Sequence, residues 1–493
     1  MAKKKRTRPL RRPAGKKRVA KQSPQQQAAD QDNDAGSDDS NVYTGRMLAT
    51  VLDPDKDAIK TALNAMHNAT GLAMADIAHS ASDFSDGEPP ADAKAHVLDS
   101  LGIVVLDDQG DDHLAAESIT PESNNIAMER EMWNTHFGSE FTLDTSLSDN
   151  TQLHEALPGK LTAGIDLSTD YLLGMRAVID MLLQHNASHA MSAGAGVNTD
   201  SVDGVAWGLH KTGVANSSLT GKGIRVAILD SGFDRKHSDF TGRKNITTKS
   251  FIPKRQPDRN ANEDRTGHGT HCVGVACGPL QPESGVRYGI AHEAEIFSGK
   301  VLRKPRNHAA TGMDGWILNG IEWAISNKCQ VISLSLGTTV NASGHSYAYE
   351  QAAKVGLRKD SLIIAATGNA SKRSINSVKA VGRPANCPSI VSVAAVNNAL
   401  QVADFSNGKR FKKSDVNLAA PGTNIRSSVP GTAITYPLNG TSMATPHVAG
   451  LAALICQETG KKGTELREEL YKRALSIGQS DDLGNGLARI TKS

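Results

Sequence analysis

After residue 205 the chain carries short, nearly continuous apolar runs: Ile224–Leu229, Ile296–Leu302, Val331–Leu336, Leu362–Ala366 and Ile390–Val396. Runs of this length without alternation predict strands buried on both faces. Segments with helical spacing separate them, such as Met313–Ser326 with Ile317, Ile321, Ala324 and Ile325 on one face. The alternation predicts an α/β fold, a parallel sheet with helices on both faces. Upstream the pattern is sparser. Met47–Leu52 and Leu101–Leu106 read as strands, and His113–Ile119 as a third. Ile59, Leu63 and Met66 mark a helix over 57–68. Together they predict a small α+β unit. Residues 120–168 show weak periodicity. Beyond them Ser168, Thr169 and Asp170 are cap candidates for a helix striped by Tyr171, Met175, Val178 and Leu182. The small-residue linker Ser192–Val197 follows. The expected organisation is a tail over 1–45, an α+β domain over 46–119, a connecting segment with one helix over 120–204, and an α/β domain over 205–493.

Charge sharpens that division. The net charge is only +3 over 493 residues, but residues 1–22 carry +11, residues 23–204 carry −24 and residues 205–493 carry +16. The first 45 residues, basic and then Gln- and Asp-rich, have the composition of a disordered arm. Residues 3–21 have the charge to contact nucleic acid, although a solubilising arm is the plainer reading. No run of 18 apolar residues occurs, so no transmembrane helix is expected. The basic N-terminus lacks the apolar stretch of a signal peptide. A cytoplasmic location follows as an expectation, with non-classical export as the other route. The five cysteines, Cys272, Cys277, Cys329, Cys387 and Cys456, are too few for a disulfide framework.

Three motifs carry chemistry. Val226–Gly232 puts Asp230 at the C-terminal end of a buried strand, where sites form in parallel sheets; the plain alternative is a turn residue. Gly267–Cys277 places His268 between glycines at the start of a helix, where histidine can serve as a general base. Zinc binding by His268, His271, Cys272 and Cys277 is the rival reading, but the spacing fits no familiar pattern. Asn439–Gly450 sets Ser442 at the mouth of an apolar helix, whose free N–H groups favour negative charge. Taken alone, Ser442 could be a simple N-cap.

Taken together, Asp, His and Ser in this order resemble the subtilisin-like serine proteases, and the resemblance spans about residue 205 to the C-terminus. It implies an Asp230–His268–Ser442 triad, in which the serine attacks, the histidine relays the proton and the aspartate fixes the histidine. His271 then becomes a structural helix residue, and Cys272 resembles a thiol found near the active site in one branch of the family, here read as a small buried hydrophobe. Ala365–Asn369 looks like the family's oxyanion segment, with Asn369 donating its amide. Ser335, Leu336 and Gly337 are similar to the segment that pairs with substrate backbone, and Ala366, Thr367 and Gly368 to the facing wall. Such pairing reads main chain, which implies broad specificity. The partners implied are protein or peptide substrates. Structural calcium occurs in the family, but the loop from Gly278 to Arg287 offers one carboxylate, so no cofactor is expected.

The acidic region before the body is similar to a propeptide and complements the body's charge. The expected function is therefore a serine endopeptidase made as a self-processing zymogen, its acidic N-terminal region acting as an intramolecular inhibitor. Self-cleavage is expected between Asn186 and Trp207. The alternative is a non-catalytic binding protein on the same fold, docking to nucleic acid through the basic tail.

Overall fold

The computed structural model describes residues 43–491, except 53, 55, 71, 81–92, 107–125, 137–200, 254–255, 257, 305–309, 341–343, 412–414 and 432–434. The basic tail, the strand expected at 113–119, the helix after Ser168 and the linker Ser192–Val197 lie outside the described residues. Tyr43–Ser493 forms one compact unit.

The first part of that unit contains β1 (Tyr43–Val51), α1 (Lys56–Thr70), β2 (Ile77–His79), β3 (Ala95–Leu98), β4 (Ile103–Leu106) and β5 (Ile126–His136). A short hairpin of β6 (Ser201–Val202) and β7 (Val205–Ala206) leads into α2 (Trp207–Lys211). The body then runs through β8 (Arg225–Asp230), β9 (Ile246–Ser250), α3 (His268–Cys277), β10 (Glu295–Lys300), β11 (Thr311–Met313), α4 (Asp314–Ser326), β12 (Val331–Leu334) and β13 (Leu336–Gly337). Next come α5 (Tyr347–Arg358), β14 (Leu362–Ala366), β15 (Val391–Val396), β16 (Leu418–Pro421), β17 (Ile425–Ser428), β18 (Thr435–Leu438), α6 (Thr441–Thr459) and α7 (Gly463–Arg473).

The body's sheet has the order β16-β15-β14-β12-β8-β10-β9, and every pairing in it is parallel. The chain fills one side of β8 first and then crosses to the other. β8 is therefore the switch point, where the loops leaving neighbouring strands diverge and open a crevice. Alternate side chains serve two cores. Val226 and Ile228 pack with α3 and α6, while Ala227 and Leu229 pack with α4 and α5. Both faces are covered, which is why the strands read as continuous apolar runs.

The N-terminal strands form the order β5-β1-β4-β3-β2 in a second sheet, which β5 extends to seven strands by pairing with β11 and β13 of the body. Its period-2 pattern divides in the same way. Ala49, Val51, Val97 and Val104 face Leu63 and Met66 of α1, whereas Leu48, Leu98, Ile103 and Val105 share a core with Ile317, Ile321 and Ala352 of α4 and α5. The small sheet thus lies on the two outer helices of the body.

β5 joins the two parts and falls in the stretch whose periodicity reads as weak. Its first half pairs antiparallel with β1, Leu48 opposite Glu129 and Val51 opposite Ile126. Its last residues run antiparallel between β11 and β13. Gly312 lies opposite Asn134, Gly337 opposite Thr135 and Leu336 opposite His136. Glu129 and Glu131, two residues apart and so on one face of the strand, reach two helix N-termini. Glu131 Oε1 accepts from Gly315 N of α4 at 2.8 Å, and Glu129 Oε1 accepts from Ala348 N of α5 at 2.8 Å and from Ser346 Oγ at 2.8 Å. The first N–H groups of a helix lack partners within it, and the helix dipole favours an anion there.

Candidate active site

Asp230, at the end of β8, is 1% exposed, and its Oδ1 accepts Ser231 N at 2.7 Å. His268 opens α3. Asp264 caps that helix, its carboxylate taking Gly267 N at 3.0 Å and Thr270 N at 2.7 Å. The approach of α3 to the loop after β8 depends on glycine. A Cβ on Gly269 would lie 2.2 Å from the carbonyl oxygen of Gly232. That closeness delivers His268 Nδ1 to within 2.8 Å of Asp230 Oδ1. The carboxylate can only accept, so Nδ1 carries the proton and Nε2 is the basic nitrogen of the neutral ring. Burial is the largest single influence on His268 and would lower its pKa, but Asp230 and the neighbouring Cys272 together outweigh it and hold the pKa well above the ordinary value.

Ser442 is the second residue of α6, a helix with Pro446 inside it. A proline has no N–H to give to the carbonyl four residues back, which here is that of Ser442. Other donors use this oxygen: Ser335 Oγ at 2.8 Å and Cys272 Sγ at 3.6 Å. In return Ser442 Oγ donates to the Ser335 carbonyl at 3.0 Å. Cys272 Sγ also lies 3.9 Å from His268 Nδ1, so one small buried side chain touches both the histidine and the serine segments. Burial pushes its thiol pKa up, which keeps it protonated.

Asn369 follows β14. Its Oδ1 accepts from Thr441 N and Thr441 Oγ1, both at 2.9 Å. With the oxygen held, the amide NH2 is directed to the other side. Gly368, at φ +108°, makes the turn before it and donates its N–H to Thr441 Oγ1 at 3.1 Å. The structure thus gathers the expected residues at the carboxyl ends of three adjacent strands. Asp230 ends β8, Ser335, Leu336 and Gly337 follow β12, and Ala366 ends β14 with Thr367, Gly368 and Asn369 just after it. The two wall segments are joined at their far end, where Gly382 N donates to Thr367 O at 2.8 Å and Thr338 and Arg383 exchange backbone bonds at 2.9 Å.

His271 stands apart. Its Nε2 donates to the carbonyls of Ile425 and Tyr436, and burial, reinforced by His268, drops its pKa to about 3. It is a neutral structural histidine. The four-residue zinc reading therefore loses a ligand. Among the described residues Asp230, His268 and Cys272 offer ligand atoms within 4.8 Å of one another, but the first two are already bonded together. In the loop after α3, Glu283 N and the Tyr288 hydroxyl both donate to Asp239.

Two parts of the site have no counterpart in the motifs of the sequence. β11 is the second body strand that β5 pairs with; Gly312, just ahead of a helix, is its only local signal. Asn407, fully buried, ties the segment around Asn369 together, accepting Ala370 N at 2.9 Å, donating from its own N–H to Gly368 O at 2.9 Å and from Nδ2 to Ala380 O at 2.9 Å. Nothing local marks it.

A family model described as "Subtilase family" matches residues 221–486. Subtilisin of Bacillus pumilus is 38% identical over 284 residues, covering 57% of this chain and 93% of that protein. An intracellular serine protease of Paenibacillus polymyxa is 35% identical over 278 residues, 55% of this chain and 80% of that one. Among solved structures, Sphericase aligns with a TM-score of 0.49 at 30% identity, covering 58% of this chain and 98% of that chain.

Proposed function

Because this chain belongs to the subtilase family and is a serine endopeptidase, we propose that it cleaves peptide bonds with Ser442 as nucleophile, His268 as general base and Asp230 as the group that orients it. The observation that carries this assignment is the 2.8 Å contact of His268 Nδ1 with Asp230, beside a serine at a helix N-terminus. The Ser442 hydroxyl turns from the Ser335 carbonyl to His268 Nε2, gives up its proton and attacks the substrate carbonyl. His268 then passes that proton to the leaving amine, and water repeats the sequence on the acyl-enzyme. The oxyanion formed on attack takes hydrogen bonds from the Ser442 N–H and the Asn369 amide, with the dipole of α6 adding to them.

The chain is, in this proposal, made as a zymogen. Residues 43–136 hold β5 along the edges β11 and β13, where an extended peptide would pair. β5 approaches Leu336 as its last pairing, and Leu336 adjoins Ser335, the partner of the Ser442 hydroxyl. The first self-cleavage therefore falls in the few residues after His136. Trimming between Asn186 and Trp207 then leaves a body beginning near Val205. The acidic N-terminal region stays bound as a product-like inhibitor until it dissociates or is digested.

Sequencing the N-termini of the wild type and of Ser442→Ala tests both parts. The wild type should yield fragments beginning shortly after His136 and near Val205, and Ser442→Ala should remain full length. A Ser442→Ala protein processed like the wild type would refute the assignment.

A further inference from the structure

Main-chain pairing along β11 and β13 reads no side chain, but one position of β5 is read by a buried group. Asn134, opposite Gly312, is fully buried. Its Nδ2 donates to Asp314 Oδ1 at 2.7 Å, and its Oδ1 faces Thr338 Oγ1 at 3.5 Å. Asp314 is also fully buried and collects four donors. Two come from the body: Tyr349 OH to Oδ1 at 2.9 Å and Arg383 Nη2 to Oδ2 at 2.7 Å. The other two come from β5: Met132 N to Oδ2 at 2.8 Å and Asn134 Nδ2 to Oδ1.

The two donors from β5 differ in kind. Any extended peptide other than one with proline at the Met132 position supplies the backbone N–H. The second donor comes only from a side chain of the right reach and chemistry. We propose that Asp314 is a specificity-determining residue of the substrate cleft, selecting an amide side chain, asparagine or glutamine, at the position Asn134 occupies in β5. The proposal rests on reading β5 as the occupant of the substrate edge. An amide supplies both the donor that Asp314 needs and an acceptor for Thr338. A leucine leaves a carboxylate oxygen buried without that donor. An aspartate sets a second carboxylate against it, and a lysine adds a cation beside Arg383. A site built around a buried acceptor discriminates strongly against analogues that cannot donate, because the loss includes the desolvated group left behind.

The experiment uses the matured enzyme and internally quenched peptides of the form Met-Trp-Xaa-Thr-His-Phe-Gly, with Xaa as Asn, Gln, Leu or Asp. Wild-type kcat/KM should be about 10- to 100-fold higher for Asn or Gln than for Leu, and lowest for Asp. Asp314→Leu should reverse the order of Asn and Leu. Asp314→Asn, which keeps the shape at the start of α4, should relieve the penalty on the Asp peptide, since its amide can donate to the substrate carboxylate. Equal rates on all four peptides by wild type would overturn the inference while leaving the protease reading intact. Failure to cleave any of them would overturn both.

Discussion

Replacing Glu131 with alanine perturbs a buried carboxylate that ties β5 both to β1 and to the start of α4. Glu131 is fully buried and accepts four hydrogen bonds: Gly315 N at 2.8 Å, Arg46 Nη2 and Nε at 2.6 Å each, and Thr44 Oγ1 at 2.6 Å. Arg46 is only 16% exposed. Removing one partner of a buried ion pair costs about 3–5 kcal/mol, because a charge loses its counter-ion inside the protein. Loss of the cap on α4 adds about 1 kcal/mol. At about 1.4 kcal/mol per tenfold, the fraction of molecules with β5 released from β1 and α4 should rise roughly 10³–10⁴-fold. The measurement is made in the Ser442→Ala background, where the chain stays intact. Trypsin is added at a level where opening and closing outpace cleavage, so the cutting rate within residues 43–136 tracks the open population. Glu131→Gln separates two contributions. Its oxygen can still cap Gly315, but its NH2 then faces the guanidinium, so the increase should be smaller than for alanine. A cutting rate within threefold of the parent for Glu131→Ala would show that the contact contributes little and would refute the reasoning.

Three further outcomes are expected. Asn369→Ala should lower kcat by about 10²–10³ with little change in KM, because its partner charge exists only in the transition state; steady-state kinetics on one peptide decide it. Activity requires neutral His268, whose pKa is raised by Asp230. The acid limb of the kcat/KM profile should therefore lie above about 6.5, the ordinary histidine value, and Asp230→Asn should move it down while cutting kcat severely; a limb unmoved in that variant would break the assignment. Pro446→Ala supplies an N–H aimed at the Ser442 carbonyl, in competition with Ser335 and Cys272. It should lower kcat while raising the melting temperature, and a gain in both would show that the proline does not hold the serine in place.

Much of the body was legible in its sequence. Strands buried on both faces announce themselves: the run at Leu362–Ala366 is β14, and the run at Val331–Leu336 covers β12 and runs on into the start of β13. The helix expected over Met313–Ser326 is α4, one residue shorter. The triad candidates were legible because each sits in a setting of small residues. β5 was not, because Glu131 and Asn134 are polar yet fully buried. They break the apolar alternation, and their reason for being buried lies some 180 residues further on, at Asp314 and Gly315. Asp314 itself reads as an ordinary acid in the first turn of a helix. Its partners Tyr349 and Arg383 come from two other segments, so only tertiary structure assembles the group.

The capping of α4 and α5 by Glu129 and Glu131 has a consequence beyond docking. While the chain is continuous, the caps are tethered to their helices, and a tether acts like a high local concentration of the missing partner. In the proposed processing, a cut makes the same contacts bimolecular, and dilution turns against them. The processed body would then keep two helix ends whose capping carboxylates can diffuse away. Its persistence would be set by how slowly it unfolds, not by how favourably it could refold unaided.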